Sequence, residues 1–136
     1  METSFKAFVV QKNKGRSFTY QIEERFLSDL PDNDVLIRVE YSSINFKDIM
    51  SAQGHPAITR RFPHTPGLDA VGVVVKSTSD QFQRGDDVMI YCRELGMNVA
   101  GGFGQYISVP ETWIEKCPQG VSKKDIMAYG TAGFTA

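Results

Sequence analysis

Six short runs rich in β-branched and aromatic residues, each closed off by turn formers, constrain this chain more than any other feature: Phe5 to Val10, Phe18 to Ile22, Val35 to Tyr41, Ala70 to Val75, Val88 to Tyr91 and Gly104 to Val109. Such residues suit a pleated, half-buried surface, and their spacing predicts a mainly β domain. In the third run Val35, Ile37 and Val39 alternate with Leu36, Arg38 and Glu40, so one face is apolar and the other partly wet; Tyr41 is expected in the core. The fourth run, Ala70-Val71-Gly72-Val73-Val74-Val75, is apolar on both faces and belongs inside a sheet, with Gly72 marking a close backbone approach or a bend.

The punctuation between the runs agrees. Pro31-Asp32-Asn33-Asp34 and Arg84-Gly85-Asp86-Asp87 are turn sequences, and Pro63, Pro66 and Gly67 impose a rigid corner before the central strand. Gly101-Gly102-Phe103-Gly104 reads as a flexible turn; it lacks the G-x-G-x-x-G spacing and leads into a strand rather than a helix. Helix is scarce. Asn45 to Gln53 predicts one short helix that brings Ile44, Asp48 and Ser51 to one face, and Ser122-Lys123-Lys124-Asp125 resembles a capping box opening another.

The 136 residues provide for one domain and one core. Fifteen Lys and Arg against sixteen Asp and Glu leave a net charge of -1, which provides no global field toward nucleic acid or an anionic membrane. The N-terminal residues lack the pattern of a secretory signal and no stretch approaches spanning length, so a cytoplasmic protein is expected. Cys92 and Cys117 read as inert thiols, and His55 and His64, each beside a proline, as loop or packing residues.

Four segments in order carry a resemblance: Val39 to Asp48 (with Ser42-Ser43-Ile44-Asn45-Phe46-Lys47-Asp48), Pro63 to Val74, Gly85 to Val88, and Gly130-Thr131-Ala132-Gly133-Phe134-Thr135-Ala136. Together they resemble the medium-chain dehydrogenase/reductase superfamily, and most closely its zinc-independent, quinone-oxidoreductase-like branch, the YhdH/YhfP family, which includes acryloyl-CoA reductases. The resemblance implies a GroES-like, partly open β-barrel with a few short helices over residues 1–125. It also implies that residues 126–136 begin a Rossmann domain that continues beyond this fragment, in a parent that is a homodimer.

For function, the resemblance implies NADPH-dependent reduction of activated C=C bonds in small molecules such as acryloyl-CoA and other 2-enoyl thioesters. Quinone reduction is the alternative enzyme, and a non-catalytic GroES-like binding module the alternative of another class. In the zinc-dependent relatives a Cys stands at the position of Asn45 and a His-Glu pair at Leu68 and Asp69, so no zinc is expected here. Without a metal, hydrogen bonds and placed charge must stabilise the developing negative charge. Asn45, Asp48 and Asp69 are the expected catalytic residues; Asn45, Phe46, Lys47, Thr131 and Thr135 are expected at the cofactor, and Arg60, Arg61 and Tyr91 at the substrate. Residue chemistry alone also permits Asn45 as a simple helix cap, and Asp48, Lys47 and the arginine pair as solvated charges.

Overall fold

The computed structural model describes residues 3–15, 17–91 and 93–128. It is mainly β: β1 (Ser4–Lys12), β2 (Phe18–Phe26), β3 (Val35–Ser42), β4 (Ala70–Ser77), β5 (Asp87–Ile90), β6 (Tyr106–Val109) and β7 (Glu115–Lys116), with a short helix, α1 (Phe46–Ala52), between β3 and β4. The strands form two sheets, β1-β2 and β6-β3-β4-β5-β7, and neither closes into a complete barrel. All pairings between these strands are antiparallel.

The five-stranded sheet supplies the main core. Val35 and Ile37 of β3, Val74 of β4, Val88 and Ile90 of β5 and Ile107 and Val109 of β6 form one buried cluster with Leu95 and Phe82. Fully burying a side chain of this kind contributes about 1.5–3 kcal/mol, so this cluster anchors the domain. β4 lies inside the sheet, as its two apolar faces predict. Gly72 is required there: a Cβ would stand 2.0 Å from the Arg38 carbonyl oxygen of β3.

Tyr41 departs from expectation. The β3–β4 register shifts between Val39 and Tyr41, and Tyr41 is 46% exposed rather than in the core. One extra residue in a strand turns every later side chain to the opposite face. Ile44 departs too. It precedes α1 instead of sharing the helix's buried face and is 75% exposed, while Asp48 and Ser51 are buried as expected.

The Gly101-Gly102 stretch is not a flexible turn. Gly67, at φ 120°, lies so near it that a Cβ on Gly67 would stand 2.5 Å from the Gly102 nitrogen, and a Cβ on Gly101 would stand 2.4 Å from the Gly67 oxygen. The N–H groups of Gly101, Gly102 and Phe103 donate to the carbonyls of Thr65, Gly67 and Pro66 at 2.7, 2.9 and 3.0 Å. Glycine here permits backbone to lie against backbone. Periodicity cannot show this, because it depends on which distant segments meet.

Residues 123–128 are helical, and Ser122 Oγ accepts from the Asp125 N–H at 3.1 Å, the cap that the sequence predicts. The boundary expected between residues 125 and 126 falls within these helical residues.

Candidate functional site

The site is built where the end of β3, the head of α1 and the glycine corner meet. β3 delivers Ser43 and Asn45 just after its last residue, and Asn45 is the N-cap of α1. The corner delivers Leu68 and Asp69 immediately before β4. Asn45, Asp48 and Asp69 are all buried.

Their side chains form one network. Asn45 Nδ2 donates to Asp69 Oδ2 at 3.0 Å and lies 3.5 Å from Asp48 Oδ2. Ser43 Oγ donates to the same Asp69 oxygen at 2.6 Å. Asp48 is fastened by backbone: its Oδ2 accepts the Asn45 N–H at 2.8 Å and its Oδ1 the Leu68 N–H at 2.9 Å. The Asn45 amide thus presents its nitrogen to the carboxylate oxygens of both aspartates. Burial raises the Asp48 pKa above the ordinary carboxylate value, while the N–H donors of Asn45 and Leu68 work against that rise and the Asp69 charge adds to it.

This geometry gives the three expected catalytic residues different tasks. Asp48 ties the first turn of α1 to the Gly67-Leu68 corner, and Asp69 holds the Asn45 amide; both position their neighbour. Asn45 is the member with a loosely held donor. Ser43, which fastens Asp69, is not among the residues expected at the site; its signal in the sequence is a hydroxyl two residues before Asn45.

Beside the network the surface is apolar. Ile44 and Phe46 are each 75% exposed and Ile49 is also exposed. Phe46 and Lys47 open α1 and are both exposed, next to Asn45 in the chain. Thr131 and Thr135 lie outside the described residues.

The expected substrate residues do not gather at the network. Arg60 Nε donates to the Pro56 carbonyl at 3.0 Å. Arg61 lines a separate cavity with Arg25 and Tyr106, and Tyr91 lines a smaller one with Arg93, Trp113 and Glu115. His64 is buried, its Nε2 2.8 Å from the Gly96 carbonyl oxygen, and burial lowers its pKa. His55 is exposed and accepts the Ala57 N–H at Nδ1, 3.1 Å away.

The resemblance carried by the sequence implies a nicotinamide nucleotide. The buried amide of Asn45 beside exposed Phe46 and Ile44 fits its nicotinamide end, which needs polar partners for a carboxamide and an apolar wall for the ring. The glycine-rich stretch does not fit the pyrophosphate, since the N–H groups of Gly101, Gly102 and Phe103 are spent on the corner. Among the described residues, no group of three or more His, Cys, Asp and Glu side chains is placed to hold a metal.

The alcohol dehydrogenase GroES-like domain family matches residues 31–119. YhfP of Bacillus subtilis, whose name assigns it provisionally to the quinone oxidoreductases, is 41% identical over 136 residues, covering 100% of this chain and 41% of that protein. Its crystal structure with NAD bound superposes with a TM-score of 0.92 over 98% of this chain and 40% of that one. The acrylyl-CoA reductase AcuI of Ruegeria pomeroyi is 35% identical over 97% of this chain and 40% of that protein. The YhdH oxidoreductase of Salmonella enterica in complex with NADP is 33% identical, with a TM-score of 0.91 over 96% of this chain and 40% of that one. The chain thus spans about 40% of the length of these relatives.

Proposed function

This chain belongs to the alcohol dehydrogenase GroES-like domain family, and from that premise we propose that it is the substrate-side domain of an NADPH-dependent reductase of activated C=C bonds, acting on short 2-enoyl-CoA thioesters. The buried network of Asn45, Asp48 and Asp69, joined by the partly buried Ser43, beside an exposed apolar wall carries the reading. A bound nicotinamide nucleotide supplies the hydride. This chain's residues supply placement.

Asn45 is the group proposed to meet the substrate or the nicotinamide carboxamide. Asp69 holds one of its amide hydrogens at 3.0 Å, and the contact toward Asp48 is long enough, at 3.5 Å, to be exchanged for a substrate oxygen on which negative charge develops. Asp48 and Asp69 fix the amide in advance, so little reorganisation accompanies the reaction. Phe46 and Ile44, both exposed, offer apolar surface on that side for a bound ligand to cover. NADPH over NADH, and residues 126–136 as the start of the nucleotide-binding domain, belong to the same proposal. Quinone reduction is the second reading, favoured by the name of YhfP and by the exposed apolar side chains, which suit an aromatic ring.

The test is steady-state kinetics of the protein that carries this chain, with NADPH against acryloyl-CoA, crotonyl-CoA and a benzoquinone series. Acryloyl-CoA is expected to give the highest kcat/KM; a benzoquinone giving the highest value selects the second reading, and no turnover of any of them selects a non-catalytic module. In the active protein, Asn45→Ala is expected to lower kcat on the order of a hundredfold, with a smaller change in KM. An unchanged kcat would leave Asn45 as a helix cap.

A further inference from the structure

A second cavity, of about 340 Å³, lies apart from the network, between the β1-β2 sheet and the segments around residues 61–65 and 98–101. Neither Asn45, Asp48 nor Asp69 lines it. Its size falls at the lower end of small-molecule sites.

The walls hold an excess of hydrogen-bond donors. Arg61 is exposed and has no ion-pair partner among the described residues. Arg25 is held only loosely, its Nε 3.8 Å from Asp29 Oδ2, an oxygen that also accepts the Phe26 N–H at 2.8 Å. Asn98 accepts the Arg60 N–H at its Oδ1, 2.9 Å away, which leaves its amide hydrogens as donors. Asp29 is the one carboxylate on the wall, and burial lowers the pKa of His64. The floor is aromatic: Phe5 and Tyr106 meet edge to face with centroids 5.6 Å apart. Two planar guanidinium groups suit the oxygens of a phosphate ester, and an aromatic floor suits a flat base.

The geometry points to a nucleoside phosphate as the ligand of this cavity, with Arg61 and Arg25 on the phosphate and Tyr106 and Phe5 against the base. Two sources share that chemistry, a free nucleotide and the nucleotide end of a coenzyme A thioester. Only the second rests on the thioester reading above.

Isothermal titration of the protein that carries this chain, without nicotinamide nucleotide, tests it with AMP, adenosine, inorganic phosphate, coenzyme A and dephospho-coenzyme A. AMP is expected to bind at least tenfold more tightly than adenosine or inorganic phosphate, and Arg61→Gln to weaken AMP binding at least tenfold. Arg25→Gln should act in the same direction, and Arg84→Gln, on a turn outside the cavity, should change nothing. Coenzyme A binding more tightly than AMP, with the same dependence on Arg61, identifies the thioester source; equal affinities identify a free nucleotide. No AMP binding, adenosine binding as well as AMP, or indifference to both arginine substitutions overturns the assignment. Arginine-dependent AMP binding without enoyl-CoA turnover would leave this site standing and remove the thioester reading; enoyl-CoA turnover without arginine-dependent AMP binding would do the reverse.

Discussion

The two sheets bury their strands by different means. In β6-β3-β4-β5-β7 the core strands β3 and β4 have neighbours on both sides, and one face packs into a cluster running from Val35 to Ile114. The β1-β2 sheet has two strands, and only β1 contributes to its small core, through Phe5, Ala7 and Val9. No residue of β2 is buried. Yet β1 is sewn to the glycine corner, with Phe8 donating to the Phe103 carbonyl at 2.9 Å and Val10 exchanging backbone hydrogen bonds with His64 at 2.7 and 3.0 Å. The corner therefore joins β1 to the larger sheet, and β2 is an outer layer. Stability is concentrated where backbones touch and thins out toward β2, and the candidate site sits at the dense end.

The same substitution made at both ends gives the sharpest contrast. Gly67→Ala must hold φ near 120° and bring a Cβ to within 2.5 Å of backbone that has no room to move. Gly15→Ala, in the β1-β2 connection, also strains a positive φ, of 77°, but its Cβ meets nothing within 4 Å. Urea denaturation should show a loss of about 4 kcal/mol or more for Gly67→Ala and about 1 kcal/mol for Gly15→Ala. Equal losses would break the comparison, since the corner would then be as compliant as the turn.

Within the corner the next effect comes from the network. Asp69→Ala leaves the buried Asn45 amide and the partly buried Ser43 hydroxyl without this acceptor, and stranding a buried polar group costs about 1–3 kcal/mol. Asp69→Asn, which keeps one acceptor, is expected to lose less. If the two variants were equally stable, the network would not be holding Asn45.

Acid should act at the seam between the sheets. The His64 pKa lies below the ordinary 6.5 because the ring is buried, partly offset by its bond to the Gly96 carbonyl. Below pH 6.5 the unfolded chain therefore binds a proton that the folded chain resists. The stability contributed by neutral His64 is present above that pH and is lost as the pH falls through the folded-state pKa. Asp48 works in the opposite direction: its raised pKa contributes stability below the ordinary 3.8, lost as the pH rises through its folded value. The difference between wild type and His64→Gln isolates the histidine. That difference should shrink from pH 7.5 toward pH 5, and a constant difference would show that His64 does not titrate with folding.

The same contrast explains what the sequence discloses. All six expected strands are present, because alternation and turn formers are local signals, and Asn45 stands at the head of α1 for the same reason. β2 runs on to Phe26 through Glu23, Glu24 and Arg25 because β1 continues to pair with it, a long-range effect. The shift that exposes Tyr41, the contact of Gly67 with Gly101 and Gly102, and the bond from Ser43 to Asp69 all depend on which distant segments meet. Arg60 and Arg61, adjacent and alike in sequence, part company in space, one bonded to its own loop and the other lining a cavity.

The smallest effect is expected on β2. Ile22 is 65% exposed, and its replacement by Thr keeps a β-branched side chain that suits an extended backbone. The pairing of Ile22 with Phe8 across the sheet is a backbone matter that the substitution leaves intact. The neighbouring contact of Phe8 with Tyr20, centroids 5.6 Å apart, does not involve it. Little apolar surface is removed from water there, so the unfolding free energy should stay within about 0.5 kcal/mol of wild type. A loss above about 1 kcal/mol, well beyond what an open surface position gives, would mean that another surface covers this face in solution. In that case β2 would have to be counted among the buried strands, and the contrast between the two sheets would fail at the place where it is drawn most strongly.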